Sequence, residues 1–166
     1  MKEVVLNTVN KKSKNYKKYV ALVDDEDYQR VSRNKWTVVI SIRSAYVYGS
    51  IKGKRISLQT FIMKSNKGQY IDHIDGNGLN NQRSNLRFCT KAENSRNKKP
   101  SLNGTSKYLG VSYNKDGGFR KWVAQIYSNG KKYGLGSFYL EEDAADEYNK
   151  AAKKYHGEFA RLNDVG

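Results

Sequence analysis

Along the first seventy residues, runs of alternating or crowded apolar positions are separated by polar, glycine-bearing breaks. "YVALV" (19–23) and "KWTVVISI" (35–42) are β-branched and apolar, which predicts strands. Between them "DDEDYQRVSRN" (24–34) predicts a short helix, with its acidic residues in the first turn where the helix dipole favours them. "AYVYGSIKGKRISLQTFIM" (45–63) reads as a hairpin with glycines at its turn, running into a buried strand or the start of a helix. Next, "QYIDHI" predicts a strand, "DGNGLNNQRSN" a turn and loop, "LRFCT" a second strand and "KAENSRNK" a helix, all within about thirty residues.

The C-terminal third is more regular. "KYLGVSYNK" (107–115), "FRKWVAQIY" (119–127) and "KKYGLGSF" (131–138) predict three strands joined at "DGG" and "SNG" turns. Ala144, Ala145, Tyr148, Ala151, Ala152 and Tyr155 then recur at helical spacing, and Gly157 stands where that helix should stop. A three-stranded antiparallel sheet packed on one amphipathic helix accounts for the pattern. Alternation along the middle strand sets Trp122, Ala124 and Ile126 against the alanine stripe and Lys121, Val123, Gln125 and Tyr127 on the other face. Joined by Lys115 and Lys132, that second face is basic, amide-bearing and aromatic. It is either an ordinary solvated face or one that meets phosphates and base edges. Upstream, "NKKPSLNGTSK" holds the only proline, Pro100, and no acid. It is either a flexible connector or a basic one that tracks a phosphate backbone.

Composition narrows the partners. Only 37% of the 166 residues are hydrophobic, and thirty-one Lys and Arg against sixteen Asp and Glu give a net charge of +15. Such charge repels itself in a compact state, and the usual compensation is a polyanion: nucleic acid, or less often an acidic membrane surface. No apolar run approaches the roughly 20 residues of a spanning helix, and the N-terminus lacks the apolar segment of a signal peptide. A cytoplasmic, unsecreted protein is expected. The single Cys89 suits a reducing compartment, excludes a multi-cysteine zinc site and is expected as a small core residue. The Lys run at 11–18 is either a disordered tail or a DNA backbone contact. His156 is expected to supply a favourable charge at a helix C-terminus.

Residues 70–86, "YIDHIDGNGLNNQRSNL", hold one of only two histidines, set between aspartates and followed by Asn77, Asn80, Asn81 and Asn85. Two readings are open: a loop that caps itself through hydrogen bonds, or a site that binds a cation and moves a proton. Phosphodiester hydrolysis needs a base for water, relief of phosphate charge and a stabilised leaving oxygen. A neutral histidine suits the first need. A hard cation with few protein ligands suits the others. Gly76 and Gly78 permit the irregular backbone that Asp72 and His73 would need to serve one site. An EF-hand calcium loop fails on spacing, because position five and the closing Glu are missing in either register.

Two resemblances add to this. "IDHIDGNGLNNQRSNLRFCTKAENSRN" is similar to the HNH endonucleases of the branch carried by mobile introns and phages, and "VDDEDYQRVSRNKW" to the segment that often precedes their motif. These enzymes present Asp-His on a strand, an Asn twelve residues after the His and a His or Asn nine further on; here those places hold Asp72, His73, Asn85 and Asn94. The resemblance implies a ββα-metal fold in which Asp72 and Asn94 bind one divalent cation, Mg²⁺ or Mn²⁺. It makes His73 the general base, with Asn85 fixing the loop that orients it. No structural zinc is implied, and Gln59 stands where relatives usually have a His. "SKYLGV…WVAQIYSNGKKYGLGSFYLEEDAADEYNKAAKKYHGEFARLN" resembles the apetala/ethylene-response-factor DNA-binding domain, which lays its sheet in the major groove. Leu109, Ser112, Asn114, Tyr127 and Gly134 differ from the plant pattern, and Leu140 replaces a frequent capping Thr.

The expectation is an α+β protein. A mixed N-terminal region leads into an HNH nuclease domain over 1–97 with its ββα-metal core at about 70–97, followed by a 98–105 linker and a DNA-binding domain over 106–163. It would be a site-specific, homing-type endonuclease that nicks double-stranded DNA as a monomer, without membrane association. Arg83, Arg87, Lys115, Lys121, Gln125, Tyr127 and Lys132 are the candidate DNA contacts. The rivals are a DNA-binding transcription regulator with an inactive nuclease motif and a nonspecific HNH nuclease.

Overall fold

Alternation of buried and exposed side chains begins earlier than expected: Lys2–Thr8 forms strand β1, with Val4 and Leu6 buried and Glu3 and Val5 exposed. The structure is a computed structural model and describes residues 1–8, 19–42, 44–97, 100–101, 103–116 and 118–166. The Lys run at 11–18 and residues 98, 99 and 102 of the expected linker therefore lie outside the described residues. Secondary structure is mixed α+β, and the chain divides into two compact units, Met1–Thr90 and Lys91–Gly166.

In the first unit, β1 is joined by β2 (Tyr19–Val23), β3 (Trp36–Ile40), β4 (Ala45–Ile51) and β5 (Lys54–Ser57) in a sheet of order β2-β1-β3-β4-β5. β1 pairs antiparallel with β2 and parallel with β3. Helices α1 (Asp25–Ser32) and α2 (Leu58–Met63) close the core, in which Val4, Leu6, Ala21, Val23, Val31, Trp36, Val38, Val47, Leu58 and Ile62 are buried. Trp36 anchors that core. Its indole nitrogen donates to the Val31 carbonyl at 2.9 Å, and its ring meets Phe61 edge-on at 5.3 Å. Gly49 must lack a side chain here, because a Cβ would lie 2.9 Å from the Trp36 ring and 3.1 Å from the Lys35 carbonyl. Two short strands complete the unit, β6 (Tyr70–His73) and β7 (Leu86–Cys89), paired antiparallel.

The second unit starts with α3 (Lys91–Arg96) and contains the sheet β8 (Val111–Tyr113), β9 (Trp122–Ser128) and β10 (Lys131–Phe138), in the order β10-β9-β8. α4 (Glu141–His156) packs on it: Ala144, Ala145, Tyr148, Ala151 and Ala152 are buried with Ala124 and Ile126, while Trp122 packs half-buried beside them. Close approach depends on Gly110, where a Cβ would fall 2.1 Å from the Tyr148 ring. β8 is shorter than "KYLGVSYNK" suggested, because residues 107–110 form turns that end at Gly110 with φ +70. Leu140 supplies no side-chain cap, and three acidic residues in the first turn of α4 meet the dipole instead.

His156, in the last turn of α4, is buried, and its Nε2 donates to the Tyr127 carbonyl at 2.9 Å. One expectation is corrected. Cys89 is half-buried and does not belong to the core. Among the described residues no helix is long and apolar enough to cross a membrane.

Replacing Trp36 by Ala should lower the free energy of unfolding by about 3–5 kcal/mol, since a large buried ring is lost and little can collapse into its place. The check is a urea titration, in which the midpoint falls while the slope is kept.

Candidate active site

β6 and β7 bring the chemistry-bearing residues together. Their ladder sets Asp72 opposite Arg87 and His73 opposite Leu86. Asp72 and His73 are both buried, 6% and 5% exposed. Arg87 binds the Asp72 carboxylate through Nη2 at 2.7 Å and Nε at 3.1 Å. His73 ends the strand, and its Nε2 lies 3.3 Å from Oδ1 of Asn81, which is fully buried. Asn81 Nδ2 donates to the Gly78 carbonyl, so its Oδ1 is an acceptor. The proton of a neutral His73 is thereby assigned from the network to Nε2, and the basic lone pair to Nδ1.

The loop over 74–82 has almost nothing apolar to bury, and its asparagines supply the order. Asp75 accepts from the Asn77 amide and Asn77 from the Leu79 amide, the two-residue reach characteristic of these short side chains. Asn85 bridges the loop: its Oδ1 accepts from the Asp75 amide, and its Nδ2 donates to Asp75 Oδ1 and to the Asn80 carbonyl. Gly76 takes φ +69, which a side chain would oppose. Gly78 is needed for space, since a Cβ would strike the Ala45 carbonyl at 2.0 Å.

The first sheet and α1 hold this loop in place. Leu22 of β2 gives its amide to the Leu79 carbonyl and takes the Asn81 amide on its own carbonyl, both at 2.8 Å. Asp24 does not cap its own helix through its side chain; its carboxylate accepts from Gln82 Nε2 and from the Arg83 amide. The buried Asp27 receives Arg83 on both oxygens and Arg30 on one, at 2.6–3.0 Å.

Charge follows from these contacts. Burial pushes the His73 pKa below its ordinary value, and the bond to Asn81 and the nearby Asp75 and Asp72 only partly oppose it. His73 is therefore neutral at physiological pH and able to accept a proton. For Asp27 burial acts to raise the pKa, but the Arg83 and Arg30 guanidiniums outweigh it and the net shift is down. Asp75 follows the same logic, with the Asn77 amide and the Asn80 and Asn85 carboxamides overcoming burial.

Among the residues expected at the site, Asp72 and His73 are consecutive in the regular β6–β7 ladder, not in the irregular backbone expected, so their side chains leave on opposite faces, and Asn85 orders the loop that follows them. Asn94 lies exposed on α3, in the second unit. Arg83 and Arg87, expected to meet DNA, also have acidic partners in the first unit: the exposed Arg83 pairs with Glu26 and Asp27, and the largely buried Arg87 with Asp72. In the second unit Tyr127 is 61% exposed and faces Lys132 across the β9–β10 ladder, with the half-buried Gln125 opposite the open Gly134. Lys115 is exposed, and its carbonyl accepts from Lys121 Nζ at 2.6 Å. Gln59, on α2, has a buried Oε1 without a hydrogen-bond partner among the described residues. Asn81, Asp24 and Asp27 were missed. Asn81 was one asparagine among several, and the two aspartates sit more than fifty positions from the loop they hold. In the second unit a cavity of about 520 Å³ is lined by Arg96, Leu109, Gln125, Tyr148 and His156.

For a divalent cation, the donor chemistry of an Asp72 carboxylate and an Asn94 carboxamide fits a hard ion that keeps water ligands. Among the described residues no three His, Cys, Asp or Glu side chains form a metal-holding group.

Comparison with known proteins decides the family. Residues 64–96, which span Asp72, His73, Asn85 and Asn94, match the family described as HNH endonuclease. An uncharacterized HNH endonuclease of Acanthamoeba polyphaga mimivirus is 35% identical over 148 residues, 81% of this chain and 74% of that protein. The chain belongs to the HNH endonuclease family. Protein 3.8 of Escherichia phage T7 is 40% identical over 96 residues, 58% of this chain and 77% of that protein. No solved structure matches. Membership makes this a nuclease, and it gives the pairing of a neutral His73 with an adjacent carboxylate a chemical context.

Replacing Asp27 by Asn should destabilise this HNH protein by about 1–3 kcal/mol, less than a wholly buried pair because both guanidiniums remain partly in water. The Asp27 pKa is depressed on folding, so its contribution is full above the unfolded value of about 3.9 and is lost as pH falls through the folded one. Acid titrations should therefore show the parent losing stability below about pH 4 more steeply than the variant.

Proposed function

We propose that this HNH endonuclease is a site-specific enzyme of the homing kind, acting in the cytoplasm and nicking double-stranded DNA as a monomer. The observation that carries the reading is His73: buried, neutral, with its tautomer set by Asn81, and adjacent to Asp72 inside the matched family span. His73 Nδ1 takes the proton of the attacking water. Asn85, through Asp75 and Asn80, keeps the loop that carries Asn81 in register with His73. Asp72 and Asn94 would be the oxygen ligands for one Mg²⁺ or Mn²⁺, and Arg87 steadies Asp72. The cation, when bound, offsets phosphate charge and stabilises the leaving 3′ oxygen.

In this reading the nuclease domain spans 1–97 with a ββα-metal core, 98–105 is a linker, and 106–163 is an apetala/ethylene-response-factor-type domain. Its three-stranded sheet on one alanine-striped helix supports that assignment. The Gln125, Tyr127 and Lys132 face enters the major groove, with Lys115 and Lys121 at its margin. A tethered second module makes its contact intramolecular, at an effective concentration of about millimolar. Two modest contacts then define one long target.

Supercoiled DNA carrying the gene's own flanking sequence should be nicked at discrete positions with Mg²⁺ or Mn²⁺ and left intact in EDTA. His73→Ala should lose about 10²-fold or more of the rate, the usual contribution of a general base. Because the base works deprotonated and its pKa is lowered, the acid limb of the pH–rate profile should fall below the ordinary histidine value of about 6.5. DNA that is bound but never cut, on any substrate and with either ion, would leave a DNA-binding regulator in place of this reading.

A further inference from the structure

The first unit carries basic side chains that the chemistry above leaves unused. From residue 28 to residue 71 the chain has nine Lys and Arg and no acid. Arg30 is taken up by Asp27, as Arg83 and Arg87 are by their own carboxylates. At the tip of the β4–β5 hairpin the balance is different. Lys52, Lys54 and Arg55 are all exposed, and none forms an ion pair among the described residues.

Register makes that tip a projection. β3 begins beside β4 at the Trp36–Gly49 pair, whereas β4 and β5 go on pairing at Ser50–Arg55 and Ile51–Lys54. Among the described residues the last two pairs are thus a two-stranded ribbon with no third strand alongside. Strand alternation sets Lys54 and Arg55 on opposite faces of this ribbon, and Lys52 occupies its end. The Arg55 guanidinium carbon rests 4.2 Å from the centre of the Tyr48 ring, which holds the cation in place before any partner arrives.

The turn itself carries a cost that points the same way. Lys52 and Gly53 have φ of 49 and 76, the left-handed pair of a type I′ turn. Asn or Gly is the favoured first residue of such a turn, and a lysine there strains the backbone. Strain kept at an exposed tip, where a Cβ on Gly53 would meet nothing within 4 Å, serves no packing.

We infer that the β4–β5 hairpin tip is a second DNA-gripping element, seated in a groove of the duplex with Lys52, Lys54 and Arg55 on the phosphates of its walls. The B-DNA major groove, about 12 Å wide, admits a two-stranded ribbon. Cations on both faces and at the end match a cleft with anions on both sides. The inference rests on the DNA-endonuclease reading and adds a contact made by the first unit, separate from the sheet face of the second. Its contribution is affinity and register for the nuclease unit, carried by charge.

The test uses the full chain in EDTA, so that no strand is cut, and a fluorescent duplex whose binding is followed against KCl. The triple variant K52N/K54Q/R55Q should bind on the order of tenfold or more weakly at about 0.1 M salt, with the salt slope reduced by about 2.7, or about 0.9 per lost phosphate contact. Lys52→Asn alone should raise the melting temperature, because Asn-Gly suits the turn, while weakening binding; a purely structural residue would move both the same way. A folded triple variant with the parent's affinity and slope overturns the hairpin inference and leaves the nuclease reading standing. A parent chain that binds no duplex overturns both.

Discussion

One carboxylate, that of Asp27, holds the first unit's two halves to a common geometry. It is almost fully buried, and two guanidiniums converge on it, one from its own helix and one from the far side of the loop that follows His73. A polar loop cannot be ordered by burial, because it has little apolar surface to remove from water. Its order has to come from hydrogen bonds to something already rigid. Asp24 and Asp27 on α1 and Leu22 on β2 provide that support, and each is ordered by the sheet built on Val4, Leu6 and Trp36. The position of the imidazole thus depends on that hydrophobic core, to which Leu86, its partner across the β6–β7 ladder, also belongs.

This dependence explains how arginine is used in the first unit. A basic protein has no shortage of cations, and those near the loop are consumed as structural counter-ions: Arg30 and Arg83 on Asp27, Arg87 on Asp72. Pairing them internally lets two carboxylates sit at low exposure without an unpaired charge. Histidine is treated in the opposite way. His73 is buried with a carboxamide for a partner, and the desolvation that keeps it neutral is what a proton acceptor needs.

Most of the element pattern was legible, because α1, β2 to β7, α3 and the β8–β10 sheet with α4 follow local signals of period, turn residue and end charge. β1 was not. Its Val4 and Leu6 alternation is only two residues deep, and the lysines around it read as a basic tail. Its partner β3 runs parallel to it and lies about thirty positions away, so no local rule could reveal the pairing. The pair Asp72 and His73 was visible as a motif, whereas the pairing of Arg83 with Asp27 and of Arg87 with Asp72 was not. Charge in a sequence says that a side chain needs a partner, and only the fold says which carboxylate it reaches. Asn81 illustrates the same limit: among neighbouring asparagines of equal chemistry, only the fold places one within reach of the imidazole.

β2 is an edge strand of the first sheet, and the bonds between Leu22 and residues 79–81 occupy its open side. A bare strand edge is a template on which another chain can pair, and proteins protect such edges with charge, twist or a covering segment. Here the segment that carries Asn81 performs that cover. The same few residues that orient the imidazole also keep the sheet from growing into a neighbour, so loss of the loop's docking would be felt in colloidal behaviour as well as in chemistry.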